Sequence, residues 1–269
     1  MFELTQDSFY KIIPLLKYGH SHPEILSVIQ NNNPGWIFSD QIDSPRTALV
    51  WSQGMKGFYL IGDHNNDAFV TKLDGFINMT LKPRMEELGM DYFEVSGYHD
   101  QWNMESLFAS RGIQQWIQLV FMLKGNEIQS PVLNDHRIRI VDLHSPTWRN
   151  QEYINKGFVN EHLDLFWYTP VDFYQKGYGY VAIDGKEIIG VCYSSFVTET
   201  THAIGIEILP HYQKRGVGTH LASLVVKKII DSGCLPYWDC SLDNEASKNL
   251  AIRLGFQKIH QYKCVGFNI

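Results

Sequence analysis

Gly216 and Gly218 stand one residue apart, directly after Lys214 and Arg215 and at the head of a long amphipathic stretch. Ile204 to Leu209 before them is apolar, so the local order is strand, polar loop, helix. A helix start carries N–H groups without intrahelical partners and a partial positive charge, which suits a phosphate or pyrophosphate. Glycine lets the backbone approach such an anion without a Cβ clash, and Lys214 and Arg215 add charge beside it. A kinase-type phosphate loop needs four residues between its glycines; only Val217 separates these. The dinucleotide fingerprint needs a third glycine where Leu221 stands. What remains is Gln/Arg-x-x-Gly-x-Gly/Ala, met by Gln213, Gly216 and Gly218.

A second segment follows at once. A short apolar strand ends at Asp243-Asn244, and a helix then closes at Leu254-Gly255-Phe256. Asn is a common residue at a helix start, and Gly is common just past a helix end. Loop and segment, in this order, resemble the acyl-coenzyme-A site of the GNAT N-acyltransferase superfamily. The wording from Trp238-Asp239-Cys240 to Leu254-Gly255-Phe256 is similar to the subgroup that includes zwittermicin A resistance acetyltransferases.

The resemblance covers residues 135–269. It implies an α/β fold with a mixed sheet, and transfer of an acetyl group from acetyl-CoA to a primary amine by direct attack in a ternary complex. It implies that the backbone around Ile206, Glu207, Ile208 and Leu209 holds the pantetheine arm and acyl carbonyl. Gln213, Lys214, Arg215, Gly216, Val217, Gly218 and Thr219 are expected at the pyrophosphate, and Asn244 and Ser247 near the pantetheine.

Acyl transfer to an amine makes three demands. The ammonium, with a pKa of about 10, must lose a proton. The carbonyl oxygen needs support as charge develops on it, and the leaving thiolate must be protonated or stabilised. Glu207 is the candidate general base; the competing reading is a solvated or ion-paired strand residue. For the general acid, Ala251 stands where many GNAT domains carry Tyr. Ser247, Cys240 and Tyr262 remain as sources of a proton, or the thiolate leaves unprotonated. Asp164, Trp167 and Tyr168 lie in an aromatic segment, Leu163 to Tyr174, that lines the acceptor site in GNAT folds. Core packing is the competing role for such a segment. The histidines and cysteines show no metal-ligand spacing, so no metal is expected.

The chain has 269 residues, 44% hydrophobic and 19% charged, in the range of a globular protein. A formal charge of −6 argues against a nucleic-acid partner and suits a small cationic amine. Four cysteines without a framework point to a reducing, cytoplasmic setting. No apolar run reaches the roughly 18 residues of a membrane span, and the start lacks a signal-peptide profile.

The pattern predicts domains at 1–125 and 135–269 with a linker at 126–134. In the second domain it predicts a strand at 137–143, a helix at about 147–160 and a short helix in the aromatic segment. Strands at 178–183, 187–196 and 202–209, a helix at 217–231, a strand at 237–242, a helix at 245–254 and two closing strands follow. The first half parallels the second: compare the stretches around Gly89 and Gly112 with those around Gly233 and Gly255. Lys72 to Asn78, where a cofactor loop is required, offers one glycine, so the first domain is expected to be a GNAT-like copy that has lost its loop. Two other functions stay open: a non-catalytic acyl-CoA-binding or regulatory protein, and an N-acetyltransferase of proteins or peptides. The sequence leaves the oligomeric state unknown.

Overall fold

A computed structural model describes residues 1–123, 125, 128, 132–133 and 135–269. The expected linker at 126–134 lies largely outside the described residues. Among them the elements run β1 (Phe2–Glu3), a 3-10 segment (Gln6–Tyr18), α1 (Pro23–Ile29), β2 (Gly35–Ser39), β3 (Thr47–Ser52) and β4 (Gly57–Gly62). Next come α2 (Asp67–Phe76), a π-helical turn (Ile77–Leu81), α3 (Lys82–Glu87), β5 (Tyr92–Gly97), α4 (Met104–Leu107) and β6 (Gln114–Leu123). β7 (Ile138–Asp142), α5 (Pro146–Asn150), α6 (Lys156–Phe166), α7 (Pro170–Lys176), β8 (Gly179–Asp184), β9 (Glu187–Val197) and β10 (Thr201–Ile208) follow. The chain closes with α8 (Val217–Asp231), β11 (Leu235–Ser241), α9 (Glu245–Arg253) and β12 (Phe256–Asn268). No helix of the described residues is long and apolar enough to cross a membrane.

The chain divides into two units, residues 1–118 with 261–269, and residues 119–260. In the second unit β7, β8, β9 and β10 pair antiparallel in that order, and β11 joins β10 in parallel. Valine, isoleucine and aromatic residues fill these strands, as a half-buried pleated surface favours. One face carries Val141, Val181, Val191 and Tyr193 against Trp148, Val159, Leu163 and Phe173 of α5 to α7. α8 covers the other face, with Val217, Leu221, Val225 and Ile229 fully buried at the helical period.

Two expectations for this unit change. The helix expected over 147–160 is broken at Asn155, which takes a left-handed φ of 65° and starts α6 anew. The two closing strands are one strand of 13 residues, β12, because neither Gly nor Pro interrupts it before Gly266.

The end of β12 also corrects the domain boundary. Residues 261–269 belong to the first unit, where Cys264 to Asn268 pair antiparallel with Tyr92 to Ser96 of β5. The reason is apolar burial. Val265 and Phe267 enter the core of Phe58, Phe93, Val95 and Phe108, with Phe267 stacked 5.2 Å from Phe93. In this unit β1, β2, β3 and β4 are antiparallel and β5 is parallel to β4. The order antiparallel pair, helix, parallel strand thus occurs twice, as β3–β4–α2–β5 and as β9–β10–α8–β11. Lys72 to Asn78, expected to hold the place of a cofactor loop, lies within α2 and the π-helical turn. That turn precedes Pro83, which has no N–H to give, and the Lys82 N–H reaches back five residues to the Ile77 carbonyl.

His202 on β10 is 4% exposed, stacks on Tyr178 and holds Nδ1 3.0 Å from Ser194 Oγ. Burial lowers its pKa from 6.5 to about 4, so the folded chain keeps the ring neutral. The unfolded chain then binds the extra proton first. Stability from this residue is intact above pH 6.5 and falls as pH drops from 6.5 to 4, by roughly 3 kcal/mol in all. Thermal melts across that range are expected to show this slope, and His202→Asn to flatten it. A wild-type slope that His202→Asn leaves unchanged would assign it to other groups.

Candidate active site

The parallel ladder of β10 and β11 is short. It runs from Thr201–Leu235 to Ala203–Tyr237, although β10 continues to Ile208 and β11 to Ser241. A register shift against β9 between His202 and Ile204 marks the same point. A bulge there adds local twist and ends regular pairing. Beyond it the two strands diverge, and β10 turns an edge of peptide groups toward the gap.

That gap opens on a cleft of about 510 Å³. Ile206, Glu207, Ile208, Gln213, Lys214, Gly216, Gly218, Thr219, Asn244 and Ser247, ten of the residues singled out from sequence, line it together. Leu209, Arg215 and Val217 do not; the Val217 side chain is fully buried in the core. Ala246, Asn249, Leu250 and Arg253 of α9 complete the lining and escaped the sequence reading. Their spacing of three, four and seven puts them on one face of a helix, which the Asn244 start already implied.

The loop geometry follows from its residues. Lys214 and Gly216 both have left-handed φ, 61° and 83°. Gly216 is the residue before α8, and no side chain caps the helix start. Nothing stands within 4 Å of a Cβ built on Gly216, so only its φ demands glycine. Gly218 differs: a Cβ there would lie 3.2 Å from Leu250, 3.4 Å from Ile208 and 3.5 Å from Ile206. Its glycine keeps α8 close to both β10 and α9. The Gln213 side-chain amide donates to the Ile208 carbonyl at 3.1 Å, pinning the loop to the end of β10. Uncapped N–H groups with Lys214 and Arg253 therefore face a cleft of the size and charge for a phosphate-bearing ligand.

α9 is capped from within. Asn244 Oδ1 accepts from the Ser247 N–H at 3.0 Å, and Ser247 Oγ accepts from the Trp238 indole at 2.9 Å. Of the three proton sources considered, Ser247 lines the cleft, and burial pushes the Cys240 thiol up, with Ser247 opposing. Tyr262 belongs to the first unit, 4.8 Å from the His22 ring. Ala251 is fully buried, so that position offers nothing to the cleft.

Glu207 borders the cleft, but its side chain leaves β10 on the other face. It pairs with Val191, and Gly205 pairs with Tyr193, so these four share the face covered by α5 to α7. Ile206 and Ile208 point to α8. Glu207 is exposed and forms no ion pair with any described residue. Gly205 has no alternative, since a Cβ there would lie 2.7 Å from the Tyr193 ring.

The expected acceptor residues separate. Trp167 is 2% exposed and its indole donates to the Ser194 carbonyl at 3.1 Å, which makes it a core residue and not an open contact. Asp164 and Tyr168 are exposed. In the first unit the connection from β4 to α2 carries Asp63 in place of basic residues. Its carboxylate accepts from the Asn65 N–H and pairs with Arg46, which hold it below the usual range. The connection itself, Asp63-His64-Asn65-Asn66, carries no lysine or arginine.

A GNAT acetyltransferase family model matches residues 14–265. The chain is 20% identical over 262 residues to "Uncharacterized N-acetyltransferase YdfB" of Bacillus subtilis (strain 168), covering 97% of this chain and 96% of that protein. Among solved structures, a GCN5-related N-acetyltransferase-like protein from Streptococcus suis 89/1591 superposes with a TM-score of 0.65 at 16% identity, over 96% of this chain and 98% of that one. A tandem GNAT protein from the clavulanic acid biosynthesis pathway gives 0.61 at 9% identity, over 97% and 95%. At these identities the two superpositions speak for the fold.

Gly216→Ala is expected to destabilise the chain by about 1–2 kcal/mol in urea unfolding, the cost of a left-handed Ala. An unchanged midpoint would mean that the loop relaxes out of this conformation without cost.

Proposed function

The chain belongs to the GNAT acetyltransferase family and is an acyltransferase, and on that premise we propose that it moves an acetyl group from acetyl-CoA to a primary amine of a small molecule. GNAT acetyltransferases use acetyl-CoA. The uncapped start of α8, the size of the cleft and the positions of Lys214 and Arg253 suit its phosphates. The observation that carries the reading is the divergence of β10 from β11 directly beside that helix start. Strand edge, anion site and carboxylate then meet along five residues of β10 and the loop after it.

Bound acetyl-CoA supplies an activated thioester. The chain's residues do the rest. Backbone N–H groups of 217–219 bind and orient the pyrophosphate, with Lys214 and Arg253 adding charge. The free edge of β10 lines up the pantetheine and offers an N–H to the carbonyl oxygen as charge develops there. Glu207, on the opposite face, takes the ammonium proton directly or through one water. The free amine then attacks: a C–N bond forms, the C–S bond breaks, and the sulfur leaves with the electron pair. The second proton of the nitrogen leaves with the collapse of the adduct and ends on the thiol or in solvent. Approach from opposite faces of one strand supports direct attack in a ternary complex without an acyl-enzyme.

The first unit, with Asp63 in its β4–α2 connection, is read as a copy without a cofactor site. The free thiols Cys192, Cys234, Cys240 and Cys264 support a reducing, cytoplasmic location.

Calorimetry is expected to give one acetyl-CoA site per chain, lost in Gly218→Glu, which adds bulk and negative charge against Leu250 and Ile208. Glu207→Gln is expected to bind acetyl-CoA as before and to lose about 10²–10⁴ in kcat, as loss of a general base does. Two sites would return cofactor binding to the first unit. Binding with no turnover on any amine would favour the non-catalytic reading, for which the buried Ala251 speaks. Unchanged turnover and pH profile in Glu207→Gln would remove Glu207 from the mechanism.

A further inference from the structure

Ser247 stands in the first turn of α9, one helical turn before the buried Ala251. Its N–H is taken by Asn244 Oδ1 at 3.0 Å, and its Oγ accepts from the Trp238 indole at 2.9 Å. An indole N–H only donates, so the hydroxyl proton of Ser247 points away from Trp238. Trp238 has little room to relax this bond, since it is 1% exposed and packs edge to face against Phe256 at 5.6 Å. Trp238 is also the first residue of β11 past the last ladder pair, Ala203–Tyr237. Ser247 therefore lines the cleft beside the point where β10 and β11 part. Lys214 and Gly216 line it beyond Ile208, at the far end of the free strand edge. From Ala203 to Ile208 an extended strand covers roughly 17 Å, the scale of an extended pantetheine arm. A cofactor with its pyrophosphate at the start of α8 thus brings its sulfur to the end where Ser247 is. Cys240 follows Trp238 by two residues and shares its face of β11. Burial raises the Cys240 thiol, and a hydrogen bond from Ser247 works against that rise, so this hydroxyl is placed to donate to a thiolate.

We propose that Ser247 receives the leaving sulfur, its hydroxyl donating a hydrogen bond to the thiolate as the C–S bond breaks, and that Trp238 is the positioning residue that aims it. The inference rests on the acyl-transfer reading and supplies from one turn earlier what Ala251 cannot. The sulfur keeps the electron pair of the broken bond, and Ser247 keeps its proton. An alcohol is a far weaker acid than a thiol, so full transfer would leave an alkoxide less stable than the thiolate it relieved. The proton that completes free CoA comes from the adduct nitrogen or from water. A donor bound to an ion is worth more than one bound to a neutral thioester. The bond therefore strengthens as charge gathers on sulfur and lowers the barrier more than it tightens binding.

The direct readout is the pKa of the thiol of CoA bound to the protein, followed by the ultraviolet absorbance of the thiolate against protein alone. The wild type is expected to hold it about one unit or more below the value of free CoA. Ser247→Ala is expected to return it to the free value and to lower kcat roughly tenfold to a hundredfold, with KM for the amine within about twofold. Ser247→Thr keeps a hydroxyl and is expected to restore most of both. Trp238→Phe keeps a ring, loses the N–H, and is expected to give up part of the shift and of kcat together. If that variant does not fold, the Ala and Thr variants at 247 decide. A Ser247 that only holds Trp238 would lower the melting temperature on change to Ala and leave the bound thiol and kcat where they were, which overturns the proposal. A shift that survives Ser247→Ala but disappears in Cys240→Ala overturns it as well and passes the role to the thiol. A lowered thiol pKa lost in Ser247→Ala, with no turnover on any amine, keeps the thiolate site and sinks the transferase reading. No binding of CoA sinks both.

Discussion

The site depends on one interruption of backbone pairing. β10 and β11 hydrogen bond through Ala203 and Tyr237 and then part. Two parallel strands ordinarily keep their ladder, because an unpaired buried peptide group costs about 1–3 kcal/mol. Here the groups on the far half of β10 face a cleft, where a ligand or water satisfies them. The register shift between His202 and Ile204 produces the parting. His202 itself is locked by Ser194 and Tyr178 at that point, so the bulge is anchored in the core and does not slide.

Alternation along β10 then divides the chemistry between two faces. Ile206 and Ile208 pack toward α8, where Gly218 lets the helix come close and Gly216 turns the chain into it with no cap. Glu207 points the other way, to the sheet face of Tyr193 and α6. A helix start that attracts anions and a carboxylate that attracts cations are thereby held a strand's thickness apart.

The first unit has the same succession of strand, helix and parallel strand without the same chemistry. Asp63 stands in its β4–α2 connection, and the carboxylate already takes the Asn65 N–H. One backbone plan therefore carries different side chains at the corresponding helix start: Lys214 and Arg215 precede α8, and Asp63 precedes α2. The parallel between the halves was read from strings of residues, and the place expected for a missing loop, Lys72 to Asn78, lies in helix.

Local patterns sufficed wherever a structure is made by neighbours in sequence. The bounds of α8 and the capping Asn244 need only residues a few positions apart, and both were legible. Of the residues marked from sequence around the loop and the α9 start, Ile206, Glu207, Ile208, Gln213, Lys214, Gly216, Gly218, Thr219, Asn244 and Ser247 line one cleft, and Leu209, Arg215 and Val217 do not. Tertiary structure alone decided the rest, because it depends on partners far along the chain. The end of β12 joined β5, since Val265 and Phe267 found their apolar neighbours around Phe93. Trp167 went to the core because the Ser194 carbonyl, 27 residues away, took its indole. The face of Glu207 was set by the pairing of β10 with β9. A sequence states which residues alternate; only the register across strands states what each one meets.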